Sequence, residues 1–261
     1  MRRYRLLTTV LLLAAVVAAG MAQEPYSQSR TTGPRAIVIA YRCEPARRAA
    51  LRERLVDSGV ARFEGWKQAG ILKDYHVLFN SYLDSETYDL LVLLTFGKYA
   101  DVAKWREIER TMPGGLTNED LKLVTSAVTY SVDGVREGSS KTRSKAGGGV
   151  FFVIPYDYLI ATDDYVKYLD GYVIPQVDGW IAENVLANYS IYISRYSTSR
   201  PWGSLFVLEY RDSDAFGKRE VTVAKVRERL KSNPAWLAAS ENKQKVRVEK
   251  QTLICEELVA K

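Results

Sequence analysis

The single histidine of the 261-residue chain, His76, lies in the run DYHVLFNSY (74–82). An imidazole changes charge near neutral pH, so it can serve as a general base, or as an axial ligand to a haem iron. It can equally be a structural histidine, satisfied by its neighbours or by water. Side chains of a strand alternate between faces, which places His76 with Asp74, Leu78, Asn80 and Tyr82. The run NYSIYISRY (188–196) has a matching set in Asn188, Ser190, Tyr192, Ser194 and Tyr196. Both sets mix polar and aromatic groups. That suits the wall of a small wet pocket, and it suits a solvent-facing sheet as well. The alternate sets, Tyr75, Val77, Phe79 and Tyr189, Ile191, Ile193, are apolar and are expected to face helices.

Other chemistries have little to work with. No second histidine, paired cysteine spacing or dense acidic cluster completes a metal shell, so no metal is expected. There is no Gly-x-Ser-x-Gly elbow, and a Ser-His-acid triad could use only His76. The AGGGV run at 146–150 precedes a strand and reads as a spacer, not a phosphate loop. Nine of the 17 tyrosines fall between Tyr156 and Tyr210. Tyr165, Tyr168 and Tyr172 follow helical spacing, as the packing stripe of a helix would.

Two related stretches organise these residues. GWKQAGILKDY begins at Gly65 and GWIAENVLANY at Gly179, 114 residues later. At that shift AIVIAYRC (36–43) falls on VFFVIPYD (150–157). Leu51, Leu55, Gly59 and Phe63 fall on Tyr165, Leu169, Val173 and Val177, an i, i+4 series that marks the buried stripe of a helix. Pro45 and Thr162 suit the helix starts, and Pro175 is expected to kink or end the second helix. Two strands follow in each copy, then a second helix (Val102, Trp105; Phe216, Val223, Leu230) and a last strand (127–135; 246–258). Recurring identities such as Leu55, Gly65, Trp66, Leu72 and Tyr75 are few; the agreement is one of apolar pattern. The Gly-Trp pairs are expected to set the helix-to-strand corner.

Each copy reads β-α-β-β-α-β, the order of a ferredoxin-like unit with helices on one face of an antiparallel sheet. The fold class expected is therefore α+β, with two tandem units (36–135 and 150–261) whose sheets pack face to face as an α/β barrel. The order, the unit size and the duplication resemble the dimeric α/β-barrel superfamily. That resemblance implies barrel closure within one chain or between two, so a homodimer is an open outcome. Some tandem members bind haem through a histidine.

Residues 1–22 have a basic start and a 17-residue apolar stretch ending in Gly20-Met21-Ala22, the pattern of a cleaved signal peptide; an uncleaved anchor is the alternative. Residues 23–35 and the Gly/Ser-rich 136–149 are expected to be an unstructured segment and a flexible linker. Removing the signal lowers the formal net charge from +6 to +3. Acids and bases are mixed apart from Arg143 and Lys145, which does not make a nucleic-acid footprint. Export to the periplasm or beyond, with no membrane contact after cleavage, would permit a disulfide between Cys43 and Cys255; two buried thiols are the alternative.

The function expected is an exported protein that binds a small organic molecule in a polar-aromatic cavity between the sheets. Arg42, Asp74, Asn80, Tyr82, Ser190, Tyr192, Ser194 and Tyr196 would line it, and no cofactor is expected. The alternative is a cofactor-independent oxygenase or isomerase in which His76 is the base and Arg42, Asn80 and Tyr82 orient substrate or stabilise an enolate. Haem binding and a purely structural oligomerisation role are lesser readings.

Overall fold

The structure, a computed structural model, describes residues 35–141, 144 and 146–260. The signal segment, nearly all of 23–35, and the basic pair Arg143 and Lys145 lie outside the described residues. Strand β1 (Ala36–Cys43) leads into helix α1, which runs through Arg48–Arg54, a π turn at Leu55–Gly59, and Val60–Gln68. Strands β2 (Asp74–Asn80) and β3 (Leu90–Thr95), helix α2 (Tyr99–Thr111) and strand β4 (Val124–Ser139) complete the first half. The second half has β5 (Val150–Tyr158) and α3, built from Thr162–Tyr168, a π turn at Leu169–Val173, and Ile174–Ala182. Then come β6 (Leu186–Ser194), β7 (Ser204–Tyr210), α4 (Arg219–Leu230) and α5 (Pro234–Glu241). Strands β8 (Arg247–Glu249) and β9 (Leu253–Glu257) end the chain.

The strand order is β4-β1-β3-β2 in the first half and β9-β5-β7-β6 in the second. All neighbours are antiparallel. The halves meet edge to edge through β4 with β6 and β2 with β9, so eight strands close into a barrel and no long edge is left open. The two sheets thus share hydrogen-bonded seams as well as facing each other. Strand β8 adds only to the end of β5.

Alternation decides what each strand buries. Tyr75, Val77 and Phe79 pack into one helix-side cluster, and Tyr189, Ile191 and Ile193 into another, as expected. The helix stripes join them: Leu51, Leu55 and Phe63 on α1, and Tyr165, Leu169, Val173 and Val177 on α3, are buried. Burial of each such side chain stabilises by roughly 1.5–3 kcal/mol before entropy is counted.

The two Gly-Trp stretches form the same corner. In the first, Ile71 N–H donates to Trp66 O and Gly70 N–H to Lys67 O, with Gly70 at φ +67°. In the second, Val185 N–H donates to Trp180 O and Asn184 N–H to Ile181 O, with Asn184 at φ +62°. This is the left-handed helix stop that satisfies the last carbonyls.

Several expectations are corrected. Pro175 neither ends nor breaks α3, which runs on to Ala182; the π turn before it widens the helix where the ring would meet the preceding turn. Strand β4 extends through Ser139, so residues 136–139 pair with Ile191 to Asn188 and do not belong to a connector. The last strand splits into β8 and β9. Among the described residues no helix is long and apolar enough to cross a membrane.

Cys43 and Cys255 are free and buried, so of the two alternatives the pair of buried thiols holds and the disulfide is not formed. Cys43 faces the first helix-side cluster, whereas Cys255 faces the barrel interior; side chains on opposite sides of a sheet cannot be bridged without backbone movement. Burial pushes both thiols up to about 12, with a further push from Asp89 at Cys43 and from Glu256 at Cys255, so neither is a ready thiolate. The folded protein should therefore resist alkylation, and without reductant it should take two alkyl groups once unfolded in urea. Mass spectrometry reads both states; a mass showing no alkylation after unfolding would mean a disulfide.

Candidate functional site

The polar-aromatic sets of β2 and β6 do face inward, but they do not line one wet cavity. The middle of the barrel is filled by Val38, Leu78, Leu91, Leu93, Val153, Val207 and Tyr192, packed as one apolar cluster. The polar positions are consequently divided between its two ends.

At one end stand Asp74 and His76, with Ser190 and Tyr192 on β6. Register builds this end. Leu78 pairs with Glu257 across the β2–β9 seam, and the Glu257 side chain reaches diagonally along the same face to His76. Its Oε1 lies 2.6 Å from His76 Nδ1. Phe151 on β5 packs beside the imidazole, with ring centroids 5.7 Å apart. Glu209, opposite Phe151 on β7, accepts a hydrogen bond from Asn188 Nδ2 at 3.2 Å. Lys67, from the end of α1, holds Asp74 at 2.7 Å.

Electrostatics gives this end its character. Burial alone would lower the His76 pKa, but the hydrogen bond and charge of Glu257, aided by Asp74 and Glu209, hold it above the ordinary histidine range. Burial likewise works against ionised Asp74, and the Lys67 ammonium with the His76 charge outweighs it and keeps the carboxyl below its usual range. The end is thus a cluster of three carboxyl groups, Asp74, Glu209 and Glu257, around His76 and the Lys67 ammonium. Beneath them Tyr192 is pushed up to about 12 by burial and remains a neutral hydroxyl. With Nδ1 engaged by Glu257, the ring presents Nε2 as its remaining polar atom.

The other predicted site residues lie elsewhere, and two of them, Asn80 and Arg42, have a structural task. Asn80 is buried and ties a hairpin: its Nδ2 donates to Thr87 Oγ1 and Tyr88 O, and its Oδ1 accepts from Tyr82 N–H. Arg42 donates to Ser85 O and Glu86 O and lies over the Tyr88 ring. Ser194 is buried, with its N–H on Gly203 O. Tyr82 and Tyr196 sit at hairpin tips, 64 % and 67 % exposed. This second end is closed by Tyr88, Tyr130 and Trp202, with Tyr88 Oη 2.8 Å from Tyr130 Oη and the Tyr130 and Trp202 rings 4.5 Å apart.

Glu257, Glu209 and Lys67 are the residues that sequence reasoning missed. Leu253, Cys255 and Glu257 share one face of β9, so a charge ending an otherwise apolar inward set was the available signal. A haem does not fit at His76: Phe151 flanks the ring, Leu93 pairs beside it, and Leu78 and Val153 fill the space beyond. Among the described residues no group of three or more His, Cys, Asp or Glu is placed to hold a metal ion.

No family model and no curated protein matches the chain. Solved structures do. A candidate monooxygenase of Lactobacillus acidophilus matches with a TM-score of 0.53 at 10 % identity, over 86 % of this chain and 92 % of that one. A candidate monooxygenase of Fusobacterium nucleatum matches with a TM-score of 0.53 at 9 % identity, over 85 % and 91 %. An anthrone oxidase-like protein matches with a TM-score of 0.51 at 12 % identity, over 87 % and 90 %. At such identities the likeness is one of fold: the chain shares the α+β barrel fold of these structures.

The His76–Glu257 pair should show in the pH dependence of stability. Because the folded-state pKa of His76 is raised, its contribution is complete below about pH 6.5, the value of a free histidine. It fades as pH rises through the raised value. His76→Gln should cost roughly 1–2 kcal/mol at pH 6 and progressively less at higher pH. Urea unfolding of both proteins from pH 5.5 to 9 checks this; a gap that widens with pH would refute the pairing.

Proposed function

We propose that the chain binds a small organic molecule at the His76 end of its barrel, through a cationic or hydrogen-bond-donating group. The observation that supports this is the convergence of Asp74, Glu209 and Glu257 on one imidazole at a place that water reaches. The side chains of His76 and Glu257 are 29 % and 26 % exposed. Asp74, Glu209 and Glu257, with Glu137 acting on Tyr192 beneath them, outnumber His76 and Lys67, which favours a positively charged partner. Phe151 offers the ligand an apolar face beside those charges.

A second reading is favoured by the arrangement of the pair. Glu257 orients His76 through Nδ1, as a carboxylate orients a catalytic imidazole, and leaves Nε2 to exchange a proton. This would be a cofactor-independent oxygenase or isomerase that removes a proton from an activated carbon acid. Support comes from this dyad, with the fold likeness to candidate monooxygenases as analogy alone. Arg42, Asn80 and Tyr82 would take no part, since they lie at the opposite end. Turnover would rise with pH through a value above the ordinary histidine range, where Nε2 becomes basic.

The remaining architecture is proposed with it. The shared strand order, the two π turns 114 residues apart and the two equivalent corners support a tandem pair of ferredoxin-like units. The basic-apolar segment 1–22 supports export to the periplasm or beyond, with a mature chain starting at Gln23. Because the barrel is already closed within one chain, a homodimer would have to use its outer surface.

Small molecules released from the purified full chain and identified by mass spectrometry should include a ligand that rebinds. Glu209→Gln should weaken that rebinding about tenfold, the equivalent of one charged hydrogen bond. If His76→Ala then abolishes conversion of the molecule while binding persists, the enzyme reading holds. A chain that releases nothing and binds nothing from a chemically diverse panel would sink both.

A further inference from the structure

A second polar site lies on the helix side of the second half, far from His76. Arg247 opens β8 and pairs with Tyr158 on β5. Its guanidinium lies 3.9 Å from the Tyr156 ring centroid, 4.9 Å from Phe206 and 5.6 Å from Tyr168. Among the described residues it has no carboxylate partner. The nearby Glu249 instead accepts a hydrogen bond from Tyr156 Oη.

Around this cation several hydrogen-bonding groups lie close together without a well-formed bond between them. Ten buried side-chain polar atoms among the described residues lack a protein partner, and four of them gather here. They are Arg247 Nη1, Tyr165 Oη, Tyr168 Oη and Ser204 Oγ. Tyr165 and Ser204 are fully buried. Tyr165 Oη has Ser204 and Arg247 as hydrogen-bonding neighbours that act on its proton, and Arg247 acts on Tyr168 through its charge, yet no two of the four atoms meet at well-formed hydrogen-bond distance and angle. Burial holds both phenols above the ordinary tyrosine range, so they stay neutral and can donate. A second cation, Arg227, acts on Tyr168 from α4, where its Nε also donates to Gln176 Oε1 at 2.8 Å.

We propose that Arg247, Tyr165, Tyr168 and Ser204 form a binding site for a small monovalent anion, held between β5, β7, β8 and helix α3. The charge and the donors argue for an anion over water alone. A guanidinium can only donate, and three hydroxyls beside it can donate as well. A water accepts two hydrogen bonds and carries no charge to balance the guanidinium. Orphaned buried donors call for a compensating partner, and the half-buried Arg247, with its Nη1 out of water and no carboxylate beside it, favours an opposite charge. The aromatic rings of Tyr156, Phe206 and Tyr168 stabilise the guanidinium on its faces and leave its edge for the anion. The site is small because Tyr165 stacks on Tyr158 at 4.4 Å and bounds it. A halide or a compact oxyanion suits it; a phosphate ester does not. From Phe151 to Tyr156 along β5 is about 16 Å, so the site is separate from the His76 end.

Bromide serves as the probe. Thermal unfolding of the full chain is followed at fixed ionic strength as bromide replaces gluconate, whose bulk the site excludes. The wild-type midpoint should rise by roughly 3–5 °C once bromide is about ten times its dissociation constant. Arg247→Gln should lose that rise, and Tyr165→Phe should need several-fold more bromide for it. A flat wild-type response, or an equal rise in all three proteins, overturns the proposal. Should Arg247→Gln not fold, crystals of the wild type grown in bromide decide: an anomalous peak within hydrogen-bonding distance of Arg247 Nη1 and Tyr165 Oη is expected, and its absence overturns the site.

Discussion

The hydrogen-bonded seam between β2 and β9 is the constraint on which this structure turns. Without it the first half would expose β2 as a sheet edge and the second would expose β9. With it, and with its counterpart between β4 and β6, every strand of the barrel has two paired neighbours. The seam also sets chemistry. A pairing of Leu78 with Glu257 puts a carboxylate beside His76; a slip of one residue would turn Glu257 towards the helices and leave the imidazole without its partner.

Closure explains why the inward face does not behave as an open sheet. A barrel of eight strands has room for side chains and little else unless some are small. Here Val38, Leu78, Leu93, Val153, Val207 and Tyr192 occupy the middle. Polar inward residues are tolerated only near the ends, where water or a neighbouring charge satisfies them. One end gathers charge around His76. The other is stopped by Tyr88, Tyr130 and Trp202.

The two halves share a frame and differ in detail, and the differences carry the candidate sites. Where β2 has His76, β6 has Ser190 at the same shift. The second half also carries β8, without a counterpart in the first, and a longer α5 where the first half has only the short helix Asn118–Leu121. Trp236 of α5 donates to Tyr172 O, and β8 brings Arg247 beneath α3 against its tyrosine stripe. That stripe therefore packs, as helical spacing implied, and at its N-terminal end surrounds a cation. Such positions are free to differ between the halves, because the fold needs their backbone and not their side chains.

The alternating apolar sets, the helix stripes and the 114-residue shift were legible in the sequence because each rests on local periodicity. They determined the α+β class, the strand and helix order, and which side chains of β2 and β6 meet the helices. The Gly-Trp corners were legible too, since a left-handed helix stop follows from short-range geometry. Pro175 was misread because a π turn, not the ring, decided the local path. Whether Cys43 and Cys255 pair stayed open because sequence shows no sheet face shared across 212 positions. Only the tertiary structure decided that they point to opposite sides, that Glu257 meets His76, and that Arg247 lies among tyrosines. These contacts depend on strand register between distant segments, and register is set by closure of the whole barrel and not by any run of residues within it.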